Sequence, residues 1–432
     1  MTATEPATDE VAGGHIAFTI FAVAWIVVLV LYCSHAIVLS SDSINNHVHV
    51  WYIAHDLWHH GRLPWRMPIL AHGDAYAYPY GFVNWTTAAL LWPLFGNWTV
   101  TLWTALGTVG CIIGTFVAFP ELGRGWYAAA ALANPAIIEA LLFGQQSFAW
   151  AAALLLFGIA AWRRGHRLGA ALLVGVAQAT HAAIVLPIAL ILVLVYLPFT
   201  REKWALVRWY ALSCVIALPA VGLVLATPTN GDISASEHIA DFLITLGPRI
   251  LIVALPLAYV LARRTGIAGL APGALAVSLI FSAAFEIPLN VGAQWHALWH
   301  RAGHTADLDA YLRSPAFRPG ATYRVLRAKD GKLGLYHVLR AGGHLDSEMF
   351  PESMAIKNFR DVDEYAALLC DRRVDQVLHD SSYDDVRHTN EAAFLQQLEQ
   401  GASDRVQVHV VASGPGWQAY AVDRSHCETA YR

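Results

Sequence analysis

Charge is scarce in this chain. Asp, Glu, Lys and Arg make up only 14% of its 432 residues, against 56% hydrophobic residues, so it reads as a polytopic membrane protein. Lysine is nearly absent from the apolar part, where Lys203 stands alone; Lys329, Lys332 and Lys357 lie in the tail. The net charge of −4 argues against nucleic acid as a partner. Internal repeats, low-complexity segments and a glycine-rich phosphate loop are not evident. Residues 1–15, MTATEPATDEVAGGH, lack a basic n-region, so they are expected to be a cytoplasmic tail rather than a cleaved signal peptide. Cysteine is also sparse, at five. Cys33, Cys111 and Cys214 lie in apolar runs as small buried residues. Cys370 and Cys427 share the polar tail and could pair only if it faces an oxidising space. Nothing in the sequence places them together, and they are expected to stay unpaired.

What is present starts with the apolar run 16–40, long enough to be a retained span. It leads into Ser40 to Tyr80, SSDSINNHVHVWYIAHDLWHHGRLPWRMPILAHGDAYAYPY. Asp42 is the first charge after the run, and a carboxylate at the mouth of a membrane helix is costly to keep beside lipid. An interfacial loop accounts for Trp51, Trp58 and Trp65, but it requires neither Asp42 nor Asn45 and Asn46. Segment 82–96, with Pro93, is short for a crossing and reads as a re-entrant or interfacial helix.

Further spans are expected near 98–119, 126–143, 147–162, 168–180, 182–199, 208–227, 240–262 and 267–288, about nine crossings in all. The 168–199 region reads either as two helices or as one broken hairpin. Three cationic clusters, Arg163/Arg164/Arg167, Arg201/Lys203/Arg208 and Arg263/Arg264, are each separated by a pair of spans and so face the cytoplasm together. The Asp42 loop, the Gly144-Gln145-Gln146 turn, His181 and everything beyond Pro288 then lie outside. From 305 onward, alternating runs at 322–327, 333–340, 374–380, 405–412 and 417–422 intersperse with helical patterns at 361–372 and 390–400, with Thr389 and Asn390 as caps. This predicts a small extracytoplasmic α/β domain over 305–432, after a membrane domain 16–304 with an outer loop 41–97.

Two sets of polar residues stand out. His55, His59 and His60, with His296, His300 and His304, have helical spacings that suit a metal. Against this, the inferred topology puts them outside, His-rich interfacial loops are common without metal, and Gly61-Arg62-Leu63-Pro64 belongs to another pattern. The second set is Asn134, Glu139, Gln145, Gln146, Gln178, His181 and Glu286. Singly they are packing glue, the reading preferred for Asn134 and Gln178. Together with Asp42 they fall on one face of the membrane, as expected of an outward-open cavity.

The ordered set of motifs resembles the GT-C superfamily of membrane glycosyltransferases, particularly bacterial polyprenyl-phosphate-mannose-dependent mannosyltransferases. Asp42, Tyr52-Ile53-Ala54, Gly61-Arg62-Leu63-Pro64-Trp65 and Tyr78-Pro79-Tyr80 match its outer-loop pattern. Asn134-Pro135, Gly144-Gln145, Trp162–Arg167 and Gly175–His181 look like its later elements, the likeness covering about residues 16–200. His181 stands where a lysine is usual, and Tyr80 replaces a second proline. The resemblance implies a GT-C-like fold and an inverting transfer of a sugar, mannose favoured, from a polyprenyl-phosphate donor to an envelope glycolipid or glycan on the outer face of a bacterial plasma membrane.

In that chemistry Asp42 is the general base, with Arg62, Arg66 and His181 on the phosphate side. Asn45, Asn46, Tyr78, Gln145, Glu286, His296 and His300 are substrate-binding candidates. In the tail, Phe317–Gly320, Tyr323–Leu326 and Leu345–Glu348 look like the outer segment of envelope proteins of this kind, with Arg318 and Arg324 as acceptor-reading candidates. No cofactor is required and no metal site is assigned, with a divalent metal left open. Two rival readings are a polyprenyl-lipid carrier or flippase without catalysis, and a His-rich di-iron oxidase.

Overall fold

The computed structural model describes residues 8–38, 41–73, 75–78, 82–225, 235–265, 270–286, 306–327, 332–347, 358–380, 383–387 and 389–427. They fall into two compact units: the described parts of residues 1–55, 78–227 and 235–301, and those of 56–77, 228–234 and 302–432. Residues 56–77, expected within the outer loop of the membrane domain, therefore group with the C-terminal residues.

The first unit is helical. Its elements are α1 (Thr8–Tyr32), α2 (Ser41–His60, which runs on into the second unit), α3 (Phe82–Phe95), α4 (Trp98–Ala118), α5 (Trp126–Leu132) and α6 (Pro135–Leu142). They continue as α7 (Gln146–Arg163), α8 (Arg167–Thr180), α9 (Ala182–Tyr196), α10 (Lys203–Leu225), α11 (Ala235–Thr265) and α12 (Leu270–Glu286). Among the described residues, five stretches are long and apolar enough to cross a membrane: Ala12–Tyr32, Trp98–Ala118, Ala182–Phe199, Lys203–Leu223 and Leu246–Thr265. Trp126–Leu142, Arg167–Thr180 and Leu270–Ala284 are shorter apolar helices. The expected span 126–143 is interrupted at Asn134, because Pro135 cannot donate to the preceding turn and begins a new helix instead. The 168–199 region is two helices, parted at His181. α3 has 14 residues, about 21 Å, well under the roughly 30 Å of a hydrocarbon core.

Two expectations change in this unit. The first apolar run stops being helical at Tyr32, and Asp42 lies not in a loop but in the first turn of a 20-residue helix. The sequence permits this: no Gly or Pro occurs between Ser41 and His60, an acidic residue suits a helix N-terminus, and Gly61 (φ 66°) follows the last turn. Helices α4 and α7 approach closely through small residues. A Cβ on Gly114 would lie 2.9 Å from Leu156 Cβ, and one on Gly107 would lie 3.0 Å from Trp150 Cδ1.

The cationic clusters meet. Arg163 pairs with Glu121, Arg264 reaches the same carboxylate at 2.9 Å, and Arg263 donates to the Glu121 and Leu122 carbonyls at 2.6 and 2.7 Å. Arg167 pairs with Glu202 at 2.7 Å, beside the cluster of Arg201 and Lys203. Glu121 lies between helices, where hydrogen bonding to Arg163, against a smaller burial effect, lowers its carboxyl pKa to about 2.

The second unit holds a mixed five-stranded sheet in the order β2-β1-β3-β5-β4. The strands are β1 (Thr322–Leu326), β2 (His344–Leu345), β3 (Gln376–Asp380), β4 (Gln407–Gly414) and β5 (Trp417–Asp423). β1 runs parallel to β2 and β3, while β5 is antiparallel to β3 and β4. Helices α13 (Ala306–Leu312), α14 (Leu333–Arg340), α15 (Val362–Asp371), α16 (Tyr383–Arg387) and α17 (Glu391–Glu399) complete it. Run 333–340, expected as a strand, is a helix: Leu333, Leu335, Tyr336, Val338 and Leu339 are buried on it, and its alternation is too short to exclude a helical period. Asn390 precedes α17 but does not cap it; its amide instead exchanges hydrogen bonds with the Phe359 backbone at 3.0 and 2.8 Å.

Residues 65–77 fold back on themselves through an Arg66–Tyr76 bridge and then pair with the sheet. Leu70 bridges Leu345, and the Leu345 N–H donates to the Ile69 carbonyl at 2.8 Å. Cys370 and Cys427 form a disulfide with Cα atoms 5.6 Å apart. That overturns the expectation that they stay unpaired: Cys370 on α15 and Cys427 pack against the same small core, a proximity no local pattern could show.

Candidate functional site

The polar residues of the first unit gather around the turn between α6 and α7. Asn134 begins the arrangement. Its Oδ1 accepts from the Ala136 N–H at 3.0 Å, capping α6 with Pro135 in the first turn. Its Nδ2 donates to the Leu251 carbonyl at 2.8 Å, so the residue is the packing glue it was expected to be, joining α6 to α11. After α6 ends, Gly144 (φ 70°) turns the chain into α7.

Helix α2 clasps that turn. The Asp42 N–H donates to the Phe143 carbonyl at 3.1 Å. Asn46 Nδ2 donates to the Gly144 carbonyl at 2.8 Å, and Asn46 Oδ1 accepts from Trp85 Nε1 at 2.7 Å. Asn84 and Ser147 add a bond of 3.1 Å between α3 and α7. Asn46 thus holds α2, α3 and the turn together.

At the centre lies an ion pair. Arg249 on α11 reaches Glu139 Oε1 at 3.2 Å, and Gln145 Nε2 donates to the same oxygen at 3.2 Å. The Arg249 guanidinium also lies 5.6 Å from the Phe148 ring centroid, on the first turn of α7. Both charged side chains are nearly buried, at 11% and 6% exposed. Asp42, half-buried, lies within electrostatic range of Glu139, and His181 within that of Arg249. Asp42, Gln145 and His181 are therefore all neighbours of the Glu139–Arg249 pair. Arg249 was missed, although a lone arginine inside the apolar run 240–262 is itself a signal of function.

Asn45 and Tyr78 are buried, Tyr78 against Phe82 at 4.9 Å. Arg62 and Arg66 belong to the second unit, where Arg62 Nε donates to Asp56 Oδ2 at 3.2 Å. Arg318 is exposed. Arg324 is 3% exposed and engaged by a bidentate pair with Glu391 at 2.7 Å and by Asp346 at 3.1 Å, a buried ion-pair network. The Glu286 side chain, His296 and His300 lie outside the described residues.

The described residues with mutually close metal-ligand atoms are His55, Asp56 and His60, at the end of α2, all within 4.8 Å of one another. His59 is not among them, and Asp56 already accepts from Arg62.

No protein-family model and no curated protein matches the chain. Among solved structures its backbone is similar to that of ArnT from Cupriavidus metallidurans bound to undecaprenyl phosphate. The TM-score is 0.48 and the identity 15%, over 93% of this chain and 97% of that one. It is also similar to the Archaeoglobus fulgidus oligosaccharyltransferase in complex with Zn and sulfate, at a TM-score of 0.44 and 13% identity over 94% and 73%.

Proposed function

We propose that this chain is an inverting membrane glycosyltransferase that takes a sugar, mannose favoured, from a polyprenyl-phosphate donor. The observation that carries the reading is the division of charge along α7. Its first residue adjoins the Asp42–Glu139–Arg249 cluster, and its last, Arg163, joins the cationic group at Glu121. Eighteen residues of helix separate the two by about 27 Å, close to the thickness of a hydrocarbon core. With the arginine-rich end facing the cytoplasm, the acidic cluster opens to the outer face.

In the proposed reaction Asp42 accepts the proton of an acceptor hydroxyl as its oxygen attacks C1 of the donor sugar. The C1–O bond to phosphate breaks, the anomeric centre inverts, and the polyprenyl phosphate leaves with the electron pair. Arg249 is the cation that meets the growing charge on that phosphate, held in place by Glu139, with His181 beside it. The Cys370–Cys427 disulfide supports an extracytoplasmic second unit, since such bonds persist in oxidising compartments. An envelope glycolipid or glycan is the proposed acceptor, in a bacterial plasma membrane.

The test is turnover of a labelled polyprenyl-phosphate mannose by purified protein, with envelope glycolipid extract as acceptor, beside Asp42→Asn. Transfer by the parent and a loss of about a hundredfold or more in the variant are expected. Full activity of a well-folded Asp42→Asn protein removes Asp42 as base. Binding without any turnover, equal in both proteins, favours a lipid carrier.

A further inference from the structure

Gln146 and Gln178 are fully buried, and in each neither the side-chain oxygen nor the nitrogen has a hydrogen-bond partner among the described residues. Gln178 was expected to join helices, and this arrangement is the opposite of that. A buried amide without partners is destabilising, because it gave up its water on folding and received nothing in return. Sites that carry such a group in the free protein are commonly those that need it for a ligand.

Both amides are close in the chain to residues of the polar cluster. Gln146 follows Gln145, which donates to Glu139, and Gln145 Oε1 is itself buried without a partner among the described residues. Gln178 lies one helical turn before His181, which is within range of Arg249. The chemistry of the missing partner follows from which atoms are left over. A phosphate only accepts and would leave each amide oxygen unsatisfied. A hydroxyl group both donates and accepts, and adjacent hydroxyls match the two atoms of one carboxamide.

We propose that Gln146 and Gln178 read sugar hydroxyls at this site and so set its sugar specificity, while the phosphate is met elsewhere. The inference rests on the donor reading given above. Its two sources of hydroxyls, the donor sugar and the acceptor sugar, are separable.

The experiment uses full-length protein in nanodiscs and the variants Gln146→Met, Gln178→Met and Gln178→Ala. Thermal stability is measured alone, with sugar-free polyprenyl phosphate, and with polyprenyl-phosphate mannose; donor and acceptor KM follow from turnover. Replacing an unpartnered amide by the isosteric Met is expected to leave Tm unchanged or raise it by a few degrees. The extra stabilisation that the sugar-bearing lipid gives over the sugar-free one is expected to vanish, with the shift from polyprenyl phosphate kept. Donor KM should rise about tenfold or more. A raised acceptor KM with an unchanged donor shift also supports the inference and assigns the amides to the acceptor sugar.

A Met variant that is more stable and has every KM unchanged overturns the proposal. So does one that loses stability and unfolds cooperatively at lower temperature with its KM values intact, since the amide is then satisfied within the protein or by water. If Gln178→Met does not fold, Gln178→Ala and Gln146→Met decide by the same readings. No shift of the parent with either lipid overturns the donor reading, and this inference with it. Equal shifts with both lipids in every protein, together with unchanged acceptor KM, overturn this inference alone.

Discussion

The Glu139 carboxylate on α6 stands 3.2 Å from the Arg249 guanidinium on α11, and two residues further along α11 the Leu251 carbonyl accepts from Asn134, the cap of α6. One short helix is thus tied to one long helix twice, by a neutral bond at its cap and an ionic one at its middle. Because both charges are nearly buried, deleting either takes from the other an ionic partner in a poorly solvated setting.

Glu139→Ala is accordingly expected to destabilise the helical unit by about 3–5 kcal/mol. Glu139→Gln together with Arg249→Met should recover a large part of that loss. Arg249→Lys keeps the charge but loses the planar fork, so its turnover should fall while its unfolding midpoint stays near that of the parent. Unfolding midpoints of the four proteins in one detergent check the stability order, and a midpoint for Glu139→Ala equal to the parent's would mean the pair contributes nothing.

The Arg324–Glu391 pair sits in the second unit with both side chains almost without solvent contact. Truncating Glu391 to Ala should cost about 3–5 kcal/mol and expose the C-terminal residues to protease. Arg318→Ala, at an exposed position, should shift stability by less than about 0.5 kcal/mol. Limited proteolysis followed by mass analysis of the fragments separates the two variants.

The disulfide makes a direct chemical prediction. A thiol reagent applied to unfolded, unreduced protein should label Cys33, Cys111 and Cys214, with Cys370 and Cys427 joining only after reduction. The bond closes a chain segment with a sequence separation of 57. Replacing both cysteines by Ala should therefore cost roughly 2–4 kcal/mol in the second unit. Labelling of five thiols without reductant, in protein taken from intact cells, would place this segment in a reducing compartment.

Stability of the second unit should also fall on acidification. Burial lowers the pKa of His379 from the ordinary 6.5, outweighing the nearby carboxylates of Asp384, Glu391 and Asp380; burial lowers that of His344 too. Above 6.5 both are neutral, folded or unfolded, and contribute no pH dependence. Below it the unfolded chain takes up protons that the folded chain resists, so unfolding becomes easier as pH drops toward the lowered folded values. Denaturation midpoints between about pH 7.5 and 5 should decline for the parent and less steeply for His379→Leu.

Much of the site was legible because its residues are local. Asn134-Pro135 reads as a cap, and Gly144-Gln145 reads as a turn. Asp42 stands out as a carboxylate after an apolar run. The less legible parts depend on a partner far along the chain. Arg249 sits in an apolar helix and gains meaning only from Glu139. Gln178 reads as glue until the structure leaves it without a partner among the described residues. Arg324 looks like a surface contact in an alternating strand, and it is Glu391 that makes it a core residue. LGLYHVLR is a shorter-range failure: eight residues with five buried hydrophobics fit a strand or a helix, and neighbouring packing decides.

The sequence by itself determined the apolar helices, the cationic clusters and the change to an α/β region near 305, because hydrophobic transfer and backbone propensity act residue by residue and need no partner. Only the tertiary structure decided which charges pair, that Cys370 meets Cys427, that α2 clasps the α6–α7 turn, and which buried amides have no protein partner among the described residues. Those outcomes depend on which helix faces lie within about 3 Å of one another, and such distances are set by packing across the whole unit.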